Sequence, residues 1–94
     1  MFASVRRYAV DPDKIDELAQ RIPGAVEAMC TLTGFRAYYI VKGQDGSIAA
    51  VSLFSSEAAA LQSNDIAAQF VREHAADLVG EPIDTITGEV IAYA

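Results

Sequence analysis

The sequence predicts an α+β fold in which a four-stranded antiparallel sheet carries two helices on one face. Segments of alternating, β-branched or aromatic residues come first, third, fourth and last along the chain, as strands do. Segments with apolar residues at helical spacing come second and fifth. The stretch "KGQDGS" between the third and fourth segments is typical of a hairpin turn. This order is that of the ferredoxin-like βαββαβ plan, and it occupies one domain over residues 1–94.

The first two elements follow from alternation and from helix-capping residues. Residues of the segment Phe2 to Ala9 alternate between two sides, which predicts a strand. Asp11 is placed to cap the helix that follows. The pair Pro23-Gly24 interrupts the apolar spacing of this helix, so we expect a kink or a short break there. Gly34 is expected to end the segment.

The central hairpin contains two neighbouring tyrosines whose side chains point to opposite faces. Its strands run from Phe35 to Lys42 and from Ser47 to Phe54, both rich in β-branched and aromatic residues. We assign Phe35 to the core. Strict alternation from there directs Tyr39 toward the helices and Tyr38 toward the opposite face of the sheet.

The last helix and strand are bounded by polar caps and by glycine and proline. Ser55 or Ser56 caps a helix that Gly80 and Pro82 terminate. The final strand is predicted to extend from Ile83 to Tyr93. Gly88 within it indicates a bulge or the close approach of another backbone.

Both faces of the predicted sheet are apolar, although helices cover only one of them. In a monomer the uncovered face of an antiparallel sheet is expected to be polar. The composition points the same way, because 52% of the residues are hydrophobic in a chain with little interior. We therefore expect the open face to pair with a second copy of the chain in a two-fold homodimer.

Charge and the N-terminal pattern exclude several classes of partner. The net charge is −6, and the only basic cluster is Arg6-Arg7, so nucleic acids and anionic membranes are not expected as partners. The start "MFASVRRYAV" lacks the layout of a signal peptide, and no apolar run reaches membrane-spanning length. With one cysteine there is no internal disulfide. We expect a cytoplasmic protein.

Three stretches carry a resemblance to a known family. They are "DPDKIDEL" after the first strand, "TGFRAYYIVKGQDGSIAAVSLFSSEAAA" through the hairpin, and "SNDIAAQFV" in the second helix. With the element order, they make the chain similar to the antibiotic-biosynthesis-monooxygenase-like group of dimeric α+β barrels. The resemblance implies a barrel formed by two paired sheets. Members include cofactor-free monooxygenases acting on aromatic polyketides, haem-degrading monooxygenases and proteins of unknown role.

The resemblance implies one of two kinds of reaction with oxygen, cofactor-free or haem-degrading. In the cofactor-free kind, a bound phenolic substrate is deprotonated and its carbanion reacts with oxygen directly. The haem-degrading kind has an asparagine on the first strand, a tryptophan on the second helix and a histidine as iron ligand. Here Val5 takes the first position, the chain has no tryptophan, and His74 lies near the third. We therefore expect neither a haem cofactor nor a metal site.

Two residues are candidates for proton transfer. Tyr39 is one because the expected pocket lies between the helices and the sheet. His74 is the only histidine, and histidine titrates near neutral pH. The alternative for His74 is a partly buried helix residue whose side chain is hydrogen-bonded to the backbone.

Three further residues are candidates for ligand binding. Ser63 and Asn64 share the sheet-facing side of the second helix, where they either donate hydrogen bonds in a pocket or mark a helix break. Arg7 shares its strand side with Val5, which we assign to the helix-facing layer. There a cation requires an anionic ligand or a carboxylate such as Glu89. The alternative for Arg7 is a strand-end side chain that reaches solvent.

Two functions of different class fit the sequence. One is a cofactor-independent monooxygenase acting on a small aromatic or polyketide-like molecule. The other is a non-catalytic dimer that binds a small molecule or has a structural role. The missing tryptophan and the lack of a nucleophile-elbow, phosphate-loop or HExxH motif favour the second.

Overall fold

A computed structural model describes residues 1–94, and its element order is the predicted one. The strands form a single antiparallel sheet in the order β2-β3-β1-β4. The ferredoxin-like prediction is confirmed. The elements are β1 (Phe2–Ala9), α1 (Ile15–Cys30), β2 (Phe35–Lys42), β3 (Ser47–Phe54), α2 (Glu57–His74) and β4 (Asp84–Glu89), with a short 3-10 turn at Pro12–Lys14 before α1.

α1 is continuous through the Pro-Gly pair, so the predicted break is wrong. The Asp11 carboxylate accepts a hydrogen bond from the Asp13 backbone N–H at 3.0 Å, which caps the turn that leads into the helix. Gly24 has a packing role, since a Cβ atom there would lie 3.1 Å from the ring of Phe70 on α2. Gly34 follows the helix with φ of +83°, and a Cβ atom there would collide with the Ser55 hydroxyl.

The last two elements are shorter than the sequence predicts. α2 ends at His74, and the chain then turns to form an isolated bridge between Val79 and Val10. β4 ends at Glu89 because its neighbour β1 begins at Phe2, the residue opposite Glu89. Gly88 pairs regularly opposite Ala3, with no bulge, and nothing in the chain approaches the position of its missing Cβ atom.

β2 contains a bulge that reverses the predicted direction of both tyrosines. Phe35 pairs with Phe54 but Ala37 pairs with Leu53, so Arg36 is an extra residue. Phe35 does belong to the core, where its ring meets that of Phe54 edge-on at 6.1 Å. One extra residue shifts every later side chain to the other face.

The reversal is visible in the exposure of the two side chains. Tyr38 packs against the core, whereas Tyr39 is 57% exposed on the face without helices. The predicted helix-facing position of Tyr39 is therefore wrong.

β1 presents its polar side to the helices. Ser4, Arg6 and Tyr8 are buried, while Val5 and Arg7 lie on the open face. The predicted placement of Arg7 in the helix-facing layer is wrong. Apolarity alone favoured the side with Val5, but the polar side is hydrogen-bonded internally and so tolerates burial.

The two sheet faces differ in what covers them. On the inner face, α1 and α2 enclose two apolar clusters, one around Tyr8, Leu18 and Ile48 and one around Met29 and Phe54. The open face carries mainly apolar side chains with no cover: Ala3, Val5, Ala37, Tyr39, Val41, Ala49, Val51, Leu53 and Ile86. Neither helix has the length and apolarity needed to cross a bilayer.

Candidate functional site

The centre of the inner face is a buried arginine held by neutral side chains. Arg6 projects from β1 with 1% of its surface exposed. Its Nη1 donates to Ser4 Oγ at 3.2 Å, Ser63 Oγ at 3.3 Å and Asn64 Oδ1 at 2.9 Å, and its Nη2 donates to Ser52 Oγ at 2.9 Å. We call this group the polar belt, and it comprises Ser4, Arg6, Ser52, Ser63, Asn64 and Thr87.

Hydrogen bonds within the belt orient the groups that face Arg6. Asn64 Nδ2 donates to Thr87 Oγ1 at 3.0 Å, which directs the amide oxygen toward Arg6 and Ser4. Ser63 Oγ donates to the Ala60 carbonyl at 2.6 Å without interrupting α2. The alternative of a helix break at Ser63 and Asn64 is therefore wrong. These two side chains are held in place by β1, β4 and their own helix.

The charge of Arg6 has no counterion in the chain. The ion pairs involve Arg7, Arg21 and His74, and none of them includes Arg6. A guanidinium group does not lose its proton in proteins, so the cation must be stabilised where it lies. Only hydroxyl and amide oxygens do so here, and the Tyr38 phenol, also neutral, interacts with the same guanidinium group.

A cleft of about 440 Å³ reaches the polar belt between α2, β1, β4 and the segment 80–82. Arg6, Tyr8 and Asn64 line its inner part. The exposed side chains of Arg72 and Glu81 lie at its outer part. Such a site combines an apolar wall with a few convergent polar groups, as small-molecule sites commonly do.

A second, smaller space lies directly between the helices and the sheet. Its volume is about 60 Å³, and all its lining residues are hydrophobic, Tyr8 and Tyr38 among them. Burial raises the pKa of the Tyr38 phenol, and the nearby charge of Arg6 acts in the opposite direction. This space is too small for an aromatic ring system.

Of the five site residues predicted from sequence, the structure brings Ser63 and Asn64 together. Arg7 lies on the open face, where its Nη2 contacts Asp84 Oδ2 at 2.9 Å and this pairing raises its pKa. Tyr39 is on that same face. His74 is at the end of α2, with its side chain 60% exposed beside Glu73 and Phe70. It lines a shallow outer groove between α1 and α2, away from the cleft.

Arg6 is the residue that sequence reasoning missed. Its signal was the recurrence of small polar residues at inner positions of the central strands, Ser4 beside it on β1 and Ser52 on β3. The stretch "QSND" on the second helix supplies the opposing pair. Polar residues that face one another across a core are expected to form one network.

Comparison with known proteins identifies the family and the fold. The family model described as "Antibiotic biosynthesis monooxygenase" matches residues 1–77. The solved structure of NE2512, a protein of unknown function from Nitrosomonas europaea, has a TM-score of 0.77 at 22% identity and covers 99% of this chain and 91% of its own. For Rv0793 from Mycobacterium tuberculosis the TM-score is 0.73 at 17% identity, with coverage of 99% and 97%.

A third similar structure contains a ligand. It is a mutant of MhuD with two manganese protoporphyrin IX molecules bound per active site, with a TM-score of 0.78, 17% identity and coverage of 100% of this chain and 98% of its own. Among curated proteins, no match was found. At these identities, the structural likenesses establish the fold.

Proposed function

Because the chain belongs to the antibiotic biosynthesis monooxygenase family, we propose that it is a cofactor-independent monooxygenase acting on a small aromatic or polyketide-like molecule. The observation that carries the proposal is the cleft of about 440 Å³ that leads to the polar belt. Its apolar wall, formed by side chains such as Val71 and Val79, suits an aromatic body. Asn64, held by Thr87, is positioned to orient a polar substituent.

The reaction requires an acidic carbon on the substrate and dioxygen as the oxidant. A methylene carbon activated by a neighbouring aromatic ring and carbonyl group loses a proton and becomes a carbanion. Dioxygen adds to this carbon, the O–O bond breaks, one oxygen atom stays as a carbonyl group and the other leaves as water. The protein's contribution is to orient the substrate and to exclude water from the carbanion.

Proton transfer is the step for which the predicted residues are least well placed. Neither Tyr39, on the open face, nor His74, in the outer groove, lines the cleft. The only carboxylate that lines it is that of Glu81. We propose that the proton leaves through the outer part of the cleft, with Glu81 as its acceptor.

The residues of the cleft do not fit haem. Its lining contains no histidine, and His74 is separated from it on the outer side of the helices. Haem in this cleft would have no imidazole ligand from the chain. We therefore derive no step through haem.

We also propose that the protein acts as a homodimer joined through its open sheet face. Tyr39, Val41 and Ile86 are 57%, 50% and 71% exposed there. An apolar sheet face of this extent is unusual for a monomer, and a second copy is the cover that the fold offers.

A non-catalytic role is the second candidate. The space between the helices and the sheet is only about 60 Å³ and has no polar lining residue other than the two tyrosines. This observation favours a dimer that binds a small molecule in the outer cleft without transforming it.

Oxygen consumption in the presence of a hydroxylated anthrone tests the enzymatic proposal. The ring carbonyl makes the methylene carbon of this molecule acidic, and the expected product is the corresponding quinone. Purified protein should accelerate oxygen uptake over buffer, and Asn64→Ala should reduce that acceleration. Leu61→Ala, on the exposed side of the same helix, is the matched control. Oxygen uptake no faster than in buffer, together with saturable binding, would favour the non-catalytic candidate.

A further inference from the structure

The Arg6 guanidinium is hydrogen-bonded to neutral groups alone. Its Nη1 donates to three oxygens, those of Ser4, Ser63 and Asn64, and its Nη2 donates to Ser52. The Tyr38 phenol also interacts with this guanidinium group, and the Nε atom is buried. A guanidinium group carries five N–H donors in a planar fork. Such a group is well suited to bind carboxylates, often through two parallel hydrogen bonds.

The groups around Arg6 accept its hydrogen bonds but do not neutralise its charge. The four oxygens around it belong to neutral groups. Taking a cation out of water is expensive unless an anion accompanies it. A chain that needed Arg6 only for packing would be served equally well by an apolar side chain.

No carboxylate is paired with Arg6 among the titratable groups near it. Tyr38 of β2 faces it, and burial raises the pKa of that phenol. Tyr8 of β1 lies beside it in the cleft wall. At the outer part of the cleft, Glu81 is accompanied by Arg72, whose charge is opposite. The inner part of the cleft therefore has a positive charge that nothing in the chain neutralises.

We propose that Arg6 is the recognition group for an organic oxyanion, a carboxylate or phenolate on an aromatic body, which binds at the inner part of the cleft that Arg6 lines. The proposal rests on the proposed function for the location of the site, and it adds the charge of the ligand. A charged hydrogen bond of this kind is expected to favour the anion over a neutral analogue on the order of tenfold or more.

The experiment compares matched ligands on matched variants. 2-Naphthoate and 2-naphthamide share their shape and differ in charge, and their dissociation constants are measured by calorimetry. The wild-type protein should bind the naphthoate at least about tenfold more tightly. Arg6→Met should abolish that preference, and Arg6→Lys should retain part of it, since lysine keeps the charge without the fork.

The control is the neighbouring arginine. Arg7→Met removes the same charge one residue away, but from the open face. It should leave the preference for naphthoate unchanged. If Arg7→Met and Arg6→Met reduce the preference equally, the effect belongs to the net charge of the protein, and the proposal is wrong.

Binding of 2-naphthol tests whether the site ionises a neutral phenol or binds a ligand that is already anionic. If the site ionises a phenol, the phenolate absorption of bound naphthol will appear at a lower pH than in free solution, and Arg6→Met will reverse that shift. If bound naphthol stays neutral while naphthoate is preferred, the ligand arrives as a carboxylate. Either result supports an oxyanion site.

Two outcomes separate this inference from the proposed function. Equal affinity of the wild-type protein for naphthoate and naphthamide overturns the oxyanion site, whatever the variants do and whether or not anthrone is oxidised. A clear preference for naphthoate without any oxygen uptake leaves the oxyanion site in place and removes the monooxygenase.

Discussion

The two faces of the sheet both depart from the usual distribution of polar and apolar residues. The face covered by helices has a charged, hydrogen-bonded centre around Arg6, with Ser4 and Ser52 fully buried. The face without cover presents Tyr39, Val51 and their apolar neighbours. In an ordinary antiparallel sheet the covered face is apolar and the uncovered face polar. The polar centre of the covered face supports the proposed ligand cleft, and the apolar open face supports the proposed pairing with a second sheet.

Arg6 and Arg7 show the same difference at the scale of one residue. Arg6 is 1% exposed and has no carboxylate partner. Arg7 has 41% of its side chain exposed and pairs with Asp84. A strand directs neighbours to opposite faces, so one arginine lines the inner cleft and the other lies on the open face.

The largest expected effect comes from the apolar part of the inner face. Phe54 has 0% exposure and meets Phe35 edge-on. Phe54→Ala should lower the free energy of unfolding by about 3–5 kcal/mol, because it leaves a cavity in the core. Urea unfolding followed by circular dichroism measures the loss. Since the cavity lies within one chain, the loss should be the same at every protein concentration.

Tyr39→Ala is the matched change on the outer face. Here the loss should depend on protein concentration, because the side chain is buried only when two sheets pair. At concentrations where the chain is monomeric, it should fall within about 1 kcal/mol. If Tyr39→Ala still lowers the free energy of unfolding by a large amount under dilution, the two faces do not differ in the way described.

A charge on the open face should prevent association. Leu53 lies on that face, on the inner strand β3, opposite Ala3 and Ala37. Leu53→Glu should weaken dimerisation at least about 100-fold, because the carboxylate would be buried without a partner. Light scattering after size exclusion measures the mass, which should fall from twice the monomer mass to the monomer mass.

The control for this change is the same substitution on a helix. Leu61 is 50% exposed on α2, and Leu61→Glu should leave the dimer intact. A wild-type protein that is a monodisperse monomer at micromolar concentration would contradict the dimer outright.

The order of the elements could be predicted from the sequence because each depends on local signals. Alternation, helical spacing, the Asp11 cap and the hairpin turn are short-range patterns, and the structure has all of them. The ends of α2 and β4 were misplaced because they depend on neighbours in space. β4 ends opposite the residue at which its antiparallel partner β1 begins, and no residue of β4 itself encodes this limit.

The faces of the strands were harder to predict than the strands. A single extra residue, Arg36, reversed Tyr38 and Tyr39. On β1 the apolar side competed for the core with a polar side that is stabilised only by residues distant in sequence, such as Ser52 and Asn64. Ser63 and Asn64 were found because mid-helix polar residues stand out locally. Arg6 was missed because its partners come from other elements.

Replacing the buried cation should change stability much less than replacing the core phenylalanine. Arg6→Met removes the charge together with its desolvation cost, and Ser4, Asn64 and Thr87 keep their mutual hydrogen bonds. The free energy of unfolding should stay within about 2 kcal/mol of the wild-type value in either direction. Urea unfolding measures it at a fixed protein concentration. A loss as large as that of Phe54→Ala would mean that Arg6 holds the fold together.

The smallest effect is a dependence of stability on alkaline pH that separates the two tyrosines. Burial raises the pKa of Tyr38 above its ordinary value of 10.0 in the folded protein. In the unfolded chain the phenol ionises near the ordinary value, so above that pH the unfolded state holds fewer protons than the folded state. Stability is therefore unaffected by this group below about pH 10 and falls as the pH rises toward the folded pKa of Tyr38.

Urea unfolding between about pH 8 and about pH 11 measures this dependence in three variants. Tyr38→Phe should remove part of the alkaline decline. At protein concentrations where the chain is monomeric, Tyr39→Phe should not, because Tyr39 is then exposed. Arg6→Met should move the ionisation of Tyr38 to still higher pH, since the charge of Arg6 opposes the effect of burial. An equal response to Tyr38→Phe and Tyr39→Phe would mean that the bulge at Arg36 does not direct them to different faces.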